Sequence, residues 1–165
     1  MTTPLGDFFR QNVWANLRLI DVLAALDTQQ LTASAAGTFG SIHATLRHLA
    51  ANEERYLALL TGEWPDPAWY RGETLPDLAT MRAHMEASGN GFIAYTDAYV
   101  PGGTAQGEWG GRITTVPTIV VVMQAIYHAT EHRTNITTVL AQQGLPTPDL
   151  DAWAYNEAQA GRAAK

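Results

Sequence analysis

Cysteine is absent from this 165-residue chain. That excludes disulfides, thiolate metal ligands and a cysteine nucleophile together, so any metal must be held by His, Asp or Glu. Basic residues are few: 10 Lys and Arg stand against 16 Asp and Glu, a formal charge of −6. This balance gives no electrostatic reason to expect a nucleic acid or an anionic membrane as partner. Long apolar runs are also missing. The longest, Ile119 to Met123, falls far short of the roughly 20 residues needed to cross a bilayer. The N-terminus, Met1-Thr2-Thr3-Pro4-Leu5-Gly6-Asp7, has neither the basic start nor the apolar block of a secretory signal, so a cytoplasmic location is expected. With no internal repeat and no low-complexity segment, the length fits a single domain over residues 1–165.

Helical periodicity recurs in four long segments divided by Gly and Pro clusters, and no set of alternating strands competes with it. The pattern predicts an all-α fold: a four-helix bundle with a long irregular connection before the fourth helix and a short C-terminal helix. The first segment runs from about Leu5 to Leu26, with Phe9, Val13, Ile20 and Leu23 as its apolar stripe, and decays into the polar run Asp27 to Gly37. The second begins near Ser41 as N-cap, sets Ile42, Leu46, Leu49, Tyr56 and Leu60 on one face, and ends at Gly62 and the Trp64-Pro65-Asp66-Pro67 cluster. The third, about Leu75 to Tyr99, contains Ser88-Gly89-Asn90-Gly91. Two interior glycines cost about 1 kcal/mol each relative to Ala, so a kink or break is expected there. In the connection from Pro101 to Pro117, Glu108 to Ile113 can form a short hairpin about Gly110-Gly111, a candidate pocket wall. The fourth helix, Thr118 to Gln143, carries only Glu131 and Arg133 as formal charges and is expected to be the most buried; Gly144 stops it, and a last helix includes Trp153 and Tyr155.

Val121, Ala125, His128, His132 and Val139 share one stripe of that fourth helix, so two histidines replace apolar residues in a row that otherwise reads as core. A buried polar group without a partner costs on the order of 1 to 3 kcal/mol, and a shared divalent cation relieves two imidazoles at once. The bland alternative is that each ring bonds a carbonyl or lines a wet cleft. His48, eighty residues upstream on the border of the second helix's apolar face, adds a third imidazole, because neighbouring helices of a bundle approach to about 8 to 10 Å. Three neutral ligands leave the ion's charge uncompensated and a coordination position open. Of the other two histidines, His43 lies about 140° round the wheel from His48 and reads as a polar neighbour of the N-terminal turn, while His84, beside Arg82 and Glu86, reads as surface. Asn52 points the same way as His48, and Glu53 falls in the middle of an apolar stripe; both are candidates for supporting the ligands from behind. Trp14, Trp64, Trp69, Trp153 and Tyr155 read as packing or interface groups, and Trp109 as a neighbour of the pocket.

Taken in order, these pieces resemble the DinB-like (damage-inducible) family. Asn12 to Arg18 is similar to the family's opening helix; Phe39-Gly40-Ser41-Ile42-His43-Ala44-Thr45-Leu46-Arg47-His48-Leu49 matches its Ser-Ile-x-x-x-Leu-x-His pattern; His128-Ala129-Thr130-Glu131-His132-Arg133 matches its His-x3-His-Arg signature; Asp151 to Tyr155 looks like its closing segment. Thr134 and Asn135 stand where Gly and Gln are common in the family. The resemblance implies a four-helix bundle, usually dimeric, with zinc or nickel on His48, His128 and His132, the three residues the spacing already singles out. It also implies a small-molecule reaction, since such relatives include S-transferases that use low-molecular-weight thiols. Thiol transfer is therefore the first expectation and metal-dependent hydrolysis the second, because an open ion with no Ser-His-acid triad must activate a nucleophile from outside the chain. A non-catalytic metal- or ligand-binding stress protein is the alternative.

Overall fold

A computed structural model describes residues 2–163, leaving aside the side chains of Trp109, Arg162 and Ala163. Four long helices form a bundle: α1 (Pro4–Leu23), α3 (Ile42–Thr61), α5 (Leu78–Asp97) and α6 (Thr118–Gln142). Two one-turn helices, α2 (Thr28–Leu31) and α4 (Ala68–Arg71), interrupt the connections, and α7 (Ala152–Ala163) closes the chain. Each of α1, α3 and α5 starts where a side chain takes up an orphan backbone donor: Thr3 accepts from Gly6, Ser41 from Ala44 and Asp77 from Thr80. α3 stops at Gly62, whose φ of 82° only glycine adopts without strain. None of the described helices is long and apolar enough to cross a membrane.

The expected hairpin is present and longer than its seed. β1 (Thr104–Trp109) and β2 (Arg112–Pro117) pair antiparallel about Gly110 and Gly111, both at positive φ (57° and 79°), as a two-residue turn matching strand twist requires. It leans on α3 and α6.

Two sequence expectations fail, for physical reasons. The third helix neither kinks nor breaks at Ser88-Gly89-Asn90-Gly91: α5 is continuous. A methyl group added at Gly89 would overlap Val13 Cγ2 of α1, and one at Gly91 would overlap Leu57 Cδ2 of α3. The glycines thus let α5 approach both neighbours closely, and that packing outweighs their propensity cost. Nor is α6 the most buried helix, since Val120, Met123 and Tyr127 on one of its faces are 47%, 50% and 67% exposed.

α1 packs mainly on α5, and α3 on α6, with α3 also against α5 and α1 against α6. The core has two apolar clusters, one built around Leu19, Leu23, Leu46, Leu49, Met85, Ile136 and Leu140, the other around Phe9, Phe92, Val122 and Ala125. The order in which each helix meets them makes α1 and α6 run one way and α3 and α5 the other. Between them lies a polar layer of Asn12, Asn16, Glu53, Ser88 and Arg133, all buried.

Candidate metal centre

His48 on α3 and His128 and His132 on α6 meet at this middle level. Their ligating nitrogens all lie within 4.8 Å of one another, and His48 Nε2 is 3.1 Å from His128 Nε2. In a tetrahedral site with bonds of about 2.0–2.1 Å, neighbouring nitrogens stand about 3.4 Å apart, so the His48–His128 pair already has the spacing and the widest pair needs only a small inward turn. His132 is 5% exposed and its Nδ1 has no hydrogen-bond partner. An orphaned buried ring nitrogen beside two others is what a cation would relieve, so the residues present fit a divalent metal.

The electrostatics agree. Burial first, then the neighbouring imidazoles, hold His48 and His128 down at about 4, with Arg55 and Arg47 adding to the effect on His48. His132 is lowered by burial, against an opposing pull from Glu131. All three rings are therefore neutral near pH 7, the form that ligates metal.

The surroundings were only partly foreseeable. Asn52 does reach His48: its amide nitrogen is 3.1 Å from the ring Nε2 and donates to the His48 carbonyl at 2.9 Å. Phe39, which sequence reading passed over as a site residue, lies with its ring centroid 4.1 Å from that of His48 and 4.9 Å from that of His132. Its backbone N–H donates to Asn135 Oδ1 at 2.9 Å, so the Asn that departs from the family pattern anchors the aromatic cover. Tyr56 stands edge-on to His128 at 5.4 Å. Next to Asn52 and Tyr56 a cavity of 230 Å³ opens, bounded also by Arg55, Trp64 and Glu108. Two larger clefts, of 770 and 660 Å³, lie along α1 and α7; no imidazole lines any of the three, and only the smallest shares residues, Asn52 and Tyr56, with the surroundings of the cluster.

Glu53 does not support the imidazoles directly, contrary to the sequence expectation. Its carboxylate accepts from Asn12 Nδ2 (3.0 Å), Asn16 Nδ2 (3.1 Å) and Ser88 Oγ (2.7 Å), and the oxygens of the same two asparagines accept from Arg133. Burial raises the Glu53 carboxyl despite these donors and the Arg133 charge, and holds Arg133 down at about 10. The i, i+4 asparagines on the apolar side of α1 were the sequence signal for this layer. His43 behaves as read, its Nε2 lying 2.7 Å from the Pro76 carbonyl beside the start of α3. His84 is not a free surface residue: it lies 2.6 Å from Glu54 and stacks on Trp69 at 4.0 Å. Trp14 packs on Tyr155, whereas Trp64 and Trp153 are exposed; the side chain of Trp109 lies outside the described residues.

The model of the DinB family matches residues 1–164. This chain belongs to the DinB family. Two solved relatives share the fold at low identity. One, a DinB-like protein from Bacillus cereus ATCC 10987, is 15% identical with a TM-score of 0.62, over 86% of this chain and 94% of that one. The other, YfiT from Bacillus subtilis, is 13% identical with a TM-score of 0.65, over 88% and 92%. YfiT is described as a probable metal-dependent hydrolase with an unusual four-helix bundle topology. No curated protein matches the chain in sequence.

Proposed function

We propose that this DinB family member is a divalent-metal-dependent enzyme acting on a small molecule, with the ion on His48, His128 and His132 and a thiol as the nucleophile it transfers. The observation that carries the reading is the convergence of three neutral imidazoles, one with a buried unpartnered nitrogen, beside an open cavity. A bound zinc or nickel ion supplies a Lewis acid that lowers the pKa of a thiol or water at its open positions.

The chain's own residues do the rest. The neutral rings leave a cation's charge uncompensated, Asn52 braces the edge of the His48 ring, its amide nitrogen 3.2 Å from Nδ1 and 3.1 Å from Nε2, and Phe39 covers His48 and His132. Among the described residues no carboxylate hydrogen-bonds any of the three imidazoles, so the cluster's own contacts bring no acid group to the ligands. That favours a thiol, which ionises readily, over water, which needs more help. In the transfer, sulfur forms a bond to an electrophilic carbon, the leaving group departs with its electron pair, and the thiol proton passes to solvent. Hydrolysis is the second reading. It is favoured by Glu108, whose carboxylate borders the adjacent cavity and can serve as a base, and by the description given to YfiT.

Metal-loaded protein incubated with a panel of low-molecular-weight thiols and alkyl or epoxide electrophiles should form thioethers, and removal of the ion should abolish this. Ester or amide cleavage without any thioether would move the assignment to hydrolysis; inertness in both assays would leave a binding protein. We further propose a homodimer, supported by the exposed apolar side chains Val120, Met123 and Tyr127 on one face of α6. Sedimentation of the wild type against Tyr127→Glu tests it.

A further inference from the structure

The cavity that Asn52 and Tyr56 border is lined by one charge of each sign, both exposed and carried on different elements. Arg55 comes from α3 and Glu108 from β1, with Tyr56 and Trp64 as aromatic walls. Among the described residues neither charge has an ionic partner: Arg55 donates only to the neutral Asn52 side chain at 3.3 Å, and Glu108 takes part in no side-chain hydrogen bond or ion pair. At 230 Å³ the space is below the about 300 Å³ at which drug-sized pockets begin, so it suits a molecule of amino-acid size. Asn52 joins the two parts, since it touches both Arg55 and His48 and thereby fixes one end of the cavity against the imidazoles.

We propose that this cavity selects a small zwitterion with an α-amino-acid head, its carboxylate on Arg55, its ammonium on Glu108 and its side chain directed past Asn52 and Tyr56 toward His48 and His128. The proposal rests on the reading of the imidazole cluster as a small-molecule site and names the class of molecule admitted. A guanidinium meets a carboxylate through two parallel donors, and a carboxylate opposite takes the ammonium, so a ligand lacking either charge leaves one wall unpaired. An amino-acid head whose side chain ends in sulfur would place that atom next to the metal ligands. A purely anionic thiol would meet Glu108 as a like charge and be disfavoured.

The test is calorimetric titration of metal-loaded and metal-free protein with S-methyl-L-cysteine, which has no free thiol to extract the ion, and with its N-acetyl and methyl ester derivatives. The zwitterion should bind about fivefold more tightly than either derivative, the upper end of what a solvent-accessible ion pair contributes. Arg55→Gln should erase the preference over the ester and keep that over the N-acetyl compound; Glu108→Gln should do the reverse, and both variants should retain wild-type metal content. Equal binding of all three compounds by the wild type, or variants that keep both preferences, would overturn the proposal. Binding with the expected preferences but no thioether formation would contradict the transferase reading and leave this one standing.

Discussion

Two polar clusters lie side by side at the middle of the bundle, and adjacent residues split between them: Asn52 and His132 belong to one, Glu53 and Arg133 to the other. The Glu53 cluster is complete. Its carboxylate has three donors, and the asparagines that supply two of them pass their oxygens to Arg133. The imidazole cluster is incomplete, because its nitrogens face one another and His132 Nδ1 has nothing to bond. A satisfied buried network specifies a fold, whereas a cluster left open to a ligand carries a cost the fold alone does not recover. The contrast therefore separates what holds the bundle together from what the bundle holds.

The sharpest way to break this comparison is to remove the centre of each cluster in turn. Glu53→Leu should destabilise the metal-free protein by about 3–5 kcal/mol in urea unfolding, since Asn12, Asn16 and Ser88 would lose their common acceptor and the buried Arg133 its counter-charge. His128→Ala in the same experiment should change stability by less than about 1 kcal/mol while abolishing metal binding, because among the described rings that half-buried one meets only Tyr56 and its fellow imidazoles and is no part of the satisfied Glu53 network. Equal losses in the two variants would erase the distinction.

A smaller effect is expected where α5 meets α1. Gly89→Ala should cost about 1–3 kcal/mol through overlap with Val13, the opposite of what helix propensity alone predicts. If the variant is instead stabilised, the close approach that carries Ser88 to Glu53 is not what keeps glycine there.

Acidification should weaken the imidazole cluster selectively. His48 and His128 are held at about 4 in the folded protein against an ordinary 6.5, so between those values the unfolded chain takes up protons that the folded chain refuses. The metal-free protein should be most stable above pH 6.5 and lose stability as pH falls toward 4, with a shallower decline in His128→Ala. Smallest of all should be Asn135→Ala: a loss of stability below about 1 kcal/mol, but faster exchange of the Phe39 amide proton, because that N–H loses its acceptor.

How legible all this was depended on the range of the interactions. The four long helices and the last one, the Ser41 cap, the Gly62 stop and the Gly110-Gly111 turn are set by residues close in sequence, and the sequence reading located them; the one-turn helices α2 and α4 it did not. The three imidazoles were visible because His128 and His132 share a helical face and His48 borders another. What escaped were pairings across the bundle. Nothing local distinguishes Gly89 as a packing residue from Gly89 as a helix breaker until Val13 is set opposite it. Glu53 was noticed as an acid in an apolar stripe, yet its partners come from α1, α5 and α6, so its separation from the histidines had no local trace. Phe39 covers the imidazoles from a loop whose path depends on Asn135, almost a hundred residues away.

The most direct test of the account is the metal content of protein purified without a polyhistidine tag, measured for the wild type and for His48→Ala, His128→Ala and His132→Ala. About one divalent ion per chain in the wild type, and close to none in each folded variant, is the predicted result. A wild type that binds no zinc or nickel when these are supplied, or variants that retain the full complement, would contradict the claim that these three rings share an ion.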